Sequence, residues 1–339
     1  MKKKVLLTGI SGYIGNHCAV ELLKNGYSVR GSVRDLNKSE NVIRAISKEI
    51  DPKGNLEFCE LDLLKDKGWD EAMEGCEYVL HVASPFINIE PKDESIYIKP
   101  AVDGTQRALK AAKKAGVKRI VITSSIVAML ENADKSINLN ANSWTNVNAK
   151  NVSAYAKSKT LAEKSAWEFI ENQNSDSPME LTVINPGPVF GPTLSGNLEG
   201  ASMGMFKQMI TGKVPMVPKA AINMSDVRDV AKIHVLALEN KEASGKRFIV
   251  TTENPYAFQE LAQILKSNGY AKVSTKLAPN FLLNFMGNFD REARSMRAFI
   301  GKTYNGDISS TMETFNWKPI NFEKTVLETA KSVSESIKE

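Results

Sequence analysis

The sequence predicts an α/β protein: a doubly wound parallel sheet with a smaller lobe toward its C-terminal end. Three observations carry this. Short apolar runs alternate with helical stretches through short connections, which implies a parallel sheet covered on both faces. The first apolar run ends in three glycines at three-residue spacing, Gly9, Gly12 and Gly15. Past Pro192 the alternation weakens, as it would where a different lobe begins.

The first strand covers 5–8, and a helical pattern with Ala19, Leu22 and Leu23 on one side follows the glycines. Strand, tight turn and helix in that order form a Rossmann-type nucleotide site. The first glycine permits the turn, the second lets backbone approach a pyrophosphate, and the third lets the helix pack close to the strand. The helix N-terminus adds unpaired N–H groups and a positive dipole end.

Gly26 caps that helix and 27–33 is the second strand. An acidic side chain near the end of this strand holds the adenosine ribose in NAD-preferring sites. Here Arg34 and Lys38 stand instead, suited to a 2′-phosphate that a carboxylate would repel. NADP is the expected cofactor, and Asp35 keeps NAD as the alternative. A helix over 41–50 stops before Asp51-Pro52, and 56–61 is the third strand. Asp62 at its end either accepts from an adenine amine or caps the next helix, 69–73. The fourth strand, 78–83, ends in Ala83-Ser84-Pro85, small enough for backbone to lie against a cofactor. His81, inside that apolar run, reads as a core histidine.

A long amphipathic helix over 102–115 leads to the fifth strand, 119–123, which runs into Ser124-Ser125. Gly9, Ser84 and Ser125 thus all fall at strand ends, where parallel sheets bind their ligands. A polar, Asn-rich loop over 132–151 precedes a strong helix, 152–172, and the next strand, 181–185, ends in N-P-G-P-V-F-G-P. Helices are expected over 201–211, 230–238, 258–268, 289–300 and 322–336, with a strand over 247–251. The expected division is a dinucleotide-binding unit over 1–185, with a return segment around 222–252, and a mainly substrate-binding lobe over 186–339.

The 339 residues are enough for one large core or two lobes. Net charge is +5 and dispersed; the run Lys2–Lys4 is the solvated entrance of a strand rather than a nucleic-acid site. No apolar run is long enough to span a bilayer. Cys18, Cys59 and Cys76 lack metal-type spacing and cannot all pair, so no metal site and a reducing compartment, the cytoplasm, are expected.

Tyr155 and Lys159 are four apart on one helix and share a face. A tyrosine has a reference pKa of about 10. A neighbouring ammonium and a cationic nicotinamide are expected to lower it, so that the phenol exchanges a proton with a substrate oxygen.

The segments T-G-I-S-G-Y-I-G, H-V-A-S-P, I-T-S-S, Y-A-K-S-K-T-L-A-E, N-P-G-P-V-F-G-P and D-V-R-D-V-A occur in that order. The chain resembles an extended short-chain dehydrogenase/reductase. Within that family it is similar to the dihydroflavonol-reductase-like branch, which includes plant dihydroflavonol and cinnamoyl-CoA reductases and the yeast methylglyoxal/isovaleraldehyde reductase. V-R-G-S-V-R-D and S-K-T-L-A-E-K-S-A-W-E-F carry the narrower likeness.

The resemblance implies catalytic roles for Tyr155, Lys159 and Ser125, with Ser124 the other candidate serine. It implies a phosphate loop of Gly9, Gly12, Tyr13, Ile14 and Gly15, and 2′-phosphate contacts at Arg34 and Lys38. Adenine contacts fall on Asp62 and Leu63, ribose contacts on Val82, Ala83 and Ser84. The nicotinamide amide falls against Pro186, Gly187, Pro188 and Val189. The implied activity is NADPH-dependent reduction of a hydrophobic aldehyde or ketone, with a sugar-nucleotide epimerase or dehydratase as the alternative.

Two departures weigh against the plant substrates: N-V-S-A-Y replaces the N-W-Y-C-Y of cinnamoyl-CoA reductases, and Glu131-Asn132-Ala133 stands where dihydroflavonol reductases hold their flavonoid. Candidate pocket walls are Phe86, Ile87, Met129, Phe190, Met203, Phe206, Met216, Val217, Phe285 and Met286, a set that more often packs a core. Helices near Val102 and Tyr155 form dimer faces in some relatives, which leaves a homodimer open.

Overall fold

The computed structural model describes residues 2–84, 93–130, 137–149, 152–174, 177–281, 285 and 300–338. Its centre is a seven-stranded sheet with every pairing parallel. The strands are β1 (Lys4–Thr8), β2 (Ser28–Val33), β3 (Leu56–Glu60), β4 (Tyr78–His81), β5 (Arg119–Thr123), β6 (Glu180–Pro186) and β7 (Lys246–Val250). In space they run β7-β6-β5-β4-β1-β2-β3. The chain steps outward from β1 to β3, then returns to lay β4 on the other side of β1. Strand order therefore reverses between β1 and β4, and a crevice opens beyond their carboxyl ends.

Side chains alternate between the two faces with the period of two that strands impose. On β1, Val5 and Leu7 join one hydrophobic cluster and Leu6 the other; on β5, Val121 joins the first, Ile120 and Ile122 the second. Because both faces are covered, the strands read as continuous apolar runs. The first face is covered by α1 (Tyr13–Lys24), α2 (Ser39–Ser47) and, at a distance in sequence, α7 (Val227–Leu236). The second is covered by α3 (Trp69–Met73), α4 (Ser95–Lys114) and α5 (Ala154–Glu171). Fully burying one side chain such as Leu7 or Ile120 contributes about 1.5–3 kcal/mol.

Helix α4 starts at Ser95, ahead of the expected 102, and contains Pro100. Proline reads as a barrier because it lacks an N–H donor. Here it falls early in the helix, and the buried side chains of Tyr97 and Ala101 flank it. Tyr97 meets Tyr155 edge-on, with ring centroids 6.4 Å apart. The described part of the expected 132–151 loop contains a short strand, Ile137–Leu139, whose partner Thr303–Gly306 is far away in sequence. The helix expected over 289–300 lies outside the described residues, apart from Ile300, which is in a turn.

Toward the C-terminus, Tyr256–Ala257, Ala221–Ile222, Thr303–Gly306 and Ile137–Leu139 form a second, four-stranded sheet. The surrounding helices are α6 (Ala201–Ile210), α8 (Phe258–Ser267), α9 (Ser309–Phe315) and α10 (Phe322–Lys338). Helix α10 buries Phe322, Val326, Ala330 and Val333, one stripe at helical spacing. It is also pinned by polar bonds: Gly191 N–H donates to Thr329 Oγ1, and Thr325 Oγ1 donates to Asp226. Among the described residues no helix is long and apolar enough to cross a membrane, and no group of three metal-type side chains could hold an ion.

Candidate active site

The crevice begins at the glycine turn. Gly9 has φ +71°, and a Cβ there would lie 2.9 Å from the Ala83 backbone; a Cβ on Gly15 would lie 2.1 Å from the Gly9 carbonyl oxygen. Either side chain would push apart β1, β4 and α1 at the point where strand order reverses. Gly12 donates to the Gly9 carbonyl at 2.9 Å and precedes α1, whose first turn has no acidic residue and no side-chain cap. The N–H groups of that turn are therefore left for an external anion. Thr8 fastens the two strand ends together: its hydroxyl accepts from Ala83 N–H at 3.1 Å and lies 3.0 Å from His81 Nδ1. His81 is buried, and burial pulls its pKa down to about 4, as fits a neutral core histidine.

Tyr13 has a divided role. Its hydroxyl donates to the Gly191 carbonyl at 2.8 Å, and its ring stands edge-on to His17, which contacts the Pro192 carbonyl at 2.9 Å. The side chain thus holds the loop after β6, and the backbone is what the residue offers to the helix start. Ile14 is half-buried against the main core.

At the end of β2, Arg34 and Lys38 are exposed, and neither forms an ion pair among the described residues. Asp35 turns its carboxylate into its own backbone, accepting from Asn37 N–H at 3.0 Å and capping the turn Leu36–Lys38. Asp62 caps a turn too, accepting from Leu64 N–H at 2.9 Å, with Lys65 Nζ 3.8 Å away. Leu63 packs against Gly104 of α4, where a Cβ would come within 2.9 Å, and its carbonyl accepts from Arg107 at 2.7 Å. Val82, Ala83 and Ser84 leave β4 half-buried at the crevice.

Helix α5 starts where Ser153 accepts from Ala156 N–H at 3.1 Å. Tyr155 lies in its first turn, and its hydroxyl is hydrogen-bonded to that of Ser125. Burial pushes the phenol up to about 12, the Ser125 bond opposing it. Lys159, one turn on and buried, donates to the Thr123 carbonyl at 3.1 Å. Burial pulls its ammonium down to about 8, the Glu163 carboxylate opposing. Where a lowered phenol was expected, burial raises it in the protein alone, and the opposing influence is the Ser125 hydrogen bond rather than Lys159. The two serines diverge: Ser125 meets Tyr155, whereas Ser124 donates to Glu163 at 2.5 Å.

The loop after β6 is held just as closely. A Cβ on Gly187 would lie 2.3 Å from the Asn223 carbonyl, and its N–H donates to Ser225 Oγ at 2.9 Å. Pro186 is buried, Pro188 and Val189 are half-buried, and Val189 pairs with Ser225. Of the expected pocket walls, Met129, Phe190, Met203, Phe206 and Val217 are core residues; Phe190 and Phe206 pack with ring centroids 5.0 Å apart. Met216 is half-buried and Phe285 is 60% exposed, whereas Phe86, Ile87 and Met286 lie outside the described residues. A groove of about 780 Å³ beside β7 has Glu171, Glu242, Glu313, Lys246 and Arg247 in its walls and none of the expected site residues.

Sequence reasoning missed Glu163, Asn185 and Arg247, which interlock behind Ser125. The signal for Glu163 was its spacing, eight residues after Tyr155 and so on the same helix face. Arg247 could be seen only as one of two charges, Lys246-Arg247, at the start of an apolar strand.

Residues 5–251 match the NAD dependent epimerase/dehydratase family. The chain is 34% identical over 268 residues to a cinnamoyl-CoA reductase of Medicago truncatula, covering 77% of this chain and 79% of that one. It is 33% identical over 284 residues to the NADPH-dependent methylglyoxal reductase of Saccharomyces cerevisiae, covering 78% and 82%. The crystal structure of Gre2 from Candida albicans in complex with NADPH aligns with a TM-score of 0.78 at 25% identity, over 98% of this chain and 99% of that one. A glycine turn at the reversal of strand order, a tyrosine and lysine one turn apart beside it, and these likenesses agree: the chain belongs to the NAD dependent epimerase/dehydratase family, the extended short-chain dehydrogenases/reductases.

Proposed function

We propose that the protein is an NADPH-dependent carbonyl reductase that converts an aldehyde or ketone with apolar substituents to the alcohol. The observation that carries this reading is the pairing of the Tyr155 and Ser125 hydroxyls just beyond the carboxyl end of β5, two strands from the glycine turn. The residues present fit the dinucleotide. Gly9 and Gly15 leave a cradle that side chains would fill, and the first turn of α1 has no anion of its own. Arg34 and Lys38 are exposed and form no ion pair among the described residues, and Asp35 points away, as a 2′-phosphate requires. The relatives named above as reductases support the same reaction class.

When bound, NADPH supplies the hydride that reduces the carbonyl carbon. Tyr155 gives its phenolic proton to the carbonyl oxygen as negative charge develops there. A phenol raised to about 12 carries that proton throughout the physiological range, which suits the reducing direction. Ser125 donates a hydrogen bond to the same oxygen, an oxyanion-type assist. Lys159 would hold the nicotinamide ribose and stand one helical turn from the phenolate left behind. Asp62, Leu63 and Val82–Ser84 border the adenosine side, and Pro186–Val189 the nicotinamide amide. With five of the expected walls in the core, Met216 and Phe285 remain the described candidates for the apolar wall. Three free cysteines suit a reducing compartment such as the cytoplasm, and a homodimer through α4 and α5 belongs to the same proposal.

The test is NADPH oxidation with small aldehydes, diketones, β-keto esters and aryl ketones, repeated with NADH. Carbonyl-dependent oxidation with NADPH ahead of NADH is the expected result. Stoichiometric NAD retained through dialysis, with no carbonyl-dependent oxidation, would instead support the epimerase or dehydratase alternative, which now rests on the family name.

A further inference from the structure

Behind the Ser125–Tyr155 pair lies a buried polar cluster centred on Glu163, which is 1% exposed. Its Oε1 accepts from Arg247 Nε at 2.5 Å and Trp167 Nε1 at 3.4 Å. Its Oε2 accepts from Ser124 Oγ at 2.5 Å and Asn185 Nδ2 at 3.0 Å. These donors come from β7, α5, the end of β5 and β6, so one carboxylate joins four elements. The Asn185 amide also donates to the Ser125 carbonyl at 3.2 Å. Both residues of the serine pair are thereby held, Ser124 by its hydroxyl and Ser125 through Asn185. Arg247 in turn donates to the carbonyls of Ala141 and Ser143 and lies 3.7 Å over the Trp144 ring.

An ion pair this deep is a weak means of stabilising a fold, because desolvation offsets much of the attraction and an apolar pair of similar volume does as well. What a fully bonded carboxylate supplies is fixed geometry and fixed charge. Tyr155, Lys159 and Glu163 follow one another at four-residue spacing, so Glu163 stands one turn behind the lysine and two behind the tyrosine.

We propose that Glu163 is a positioning residue for the reduction: through Ser124 and Asn185 it sets the strand end that presents Ser125 to the Tyr155 hydroxyl, its negative charge faces Lys159 from one helical turn away, and Arg247 balances that charge. The proposal rests on the reductase reading above. Among the described groups around Lys159, Glu163 is the anion. Tyr155 on the same helix is a neutral phenol; His81 from β4 is pulled down to about 4 by burial; His234 from α7, also near 4 through burial, meets the Thr123 hydroxyl and the Val230 carbonyl. Burial pulls the Lys159 ammonium down and Glu163 is the group that opposes it. Keeping that ammonium charged matters because a phenolate forms beside it when Tyr155 gives up its proton.

Glu163→Gln alone strands the Arg247 charge and tells nothing through activity if it unfolds, so the decisive variant is Glu163→Gln with Arg247→Met, which removes both charges together. Folding is checked by circular dichroism. In the folded double variant, kcat at neutral pH is expected to fall roughly 10–100-fold, the scale seen when a group supporting a site residue is removed. The alkaline limb of the kcat profile should move to lower pH by about half a unit or more. The Lys159 titration, followed by NMR of 13C-labelled lysine side chains, should move with it. A folded double variant with wild-type kcat, or with an unmoved Lys159 titration, would overturn the proposal. If the wild-type protein oxidises no NADPH with any carbonyl, the reductase reading fails, and the Lys159 titration still decides whether Glu163 acts on it.

Discussion

Arg34 and Arg247 carry the same guanidinium toward opposite edges of the main sheet, in opposite conditions. Arg34 is exposed at the end of β2, forms no ion pair among the described residues, and has its acidic neighbour turned into a cap. Arg247 is 7% exposed, bound to Glu163, two backbone carbonyls and a tryptophan face. A cation in water without a protein partner keeps its hydrogen-bonding capacity for a ligand. The sealed cation spends its Nε and Nη1 on fixed acceptors of the fold. On the proposed reading, the difference separates a residue that meets the cofactor from one that places the residues around the substrate.

The sharpest test falls on the residue between them. Tyr155→Phe should lower turnover roughly 10²–10⁴-fold, the usual worth of a positioned general acid, while NADPH binding measured by fluorescence titration stays nearly unchanged. Unchanged turnover would remove the phenol from the reaction. Next comes Glu163→Gln by itself, which leaves Arg247 buried without its carboxylate. A loss of about 3–5 kcal/mol in denaturant unfolding is expected, against about 0.5 kcal/mol or less for Arg34→Ala. Equal losses at the two sites would erase the contrast.

The buried side should also be acid-labile. His17, His81 and His234 are each pulled down to about 4 by burial. Their folded values lie below the ordinary histidine value of about 6.5, so the unfolded chain binds protons first as pH falls. Their contribution to stability is intact above pH 6.5 and is lost on the way down toward 4. Asp229, pushed up to about 6 by burial, works in the opposite direction below that pH and offsets part of the loss. A net loss of about 3 kcal/mol by pH 5.5 is expected from thermal unfolding, and a flat Tm from pH 7 to 5 would contradict it. The smallest effect belongs to the exposed side. Arg34→Ala should raise the KM for NADPH roughly 10–100-fold, the loss of one charge-assisted bond, and leave the KM for NADH and the kcat alone. A rise for both cofactors alike would argue that Arg34 does not meet the 2′-phosphate.

Local spacing made much of this site legible. Gly9, Gly12 and Gly15 announce a close approach of backbone to backbone, because only glycine fits where a Cβ would strike Ala83 or the Gly9 carbonyl. Tyr155 and Lys159 stood out by their helix spacing downstream of a glycine turn and a strand-end serine, and the family resemblance gave them their roles. The loop after β6 was visible from its proline and glycine density, but not that Tyr13 and His17 hold it, since those bonds span more than 170 residues of chain. Apolar residues such as Phe190 and Phe206 could not be divided between core and cleft, because burial depends on neighbours that sequence does not name.

Hydrophobic period, glycine placement and helix spacing are properties of a few consecutive residues, and they alone determined the parallel sheet, the phosphate turn and the Tyr155–Lys159 couple. Only the folded chain decided that Ser125 rather than Ser124 meets the tyrosine, that Asp35 is turned aside, and that Glu163 has Arg247 as its partner. Each of those outcomes depends on which strand ends lie side by side and how much water remains between them. Those are properties of packing, and residues 84 apart such as Glu163 and Arg247 meet only once the sheet has formed.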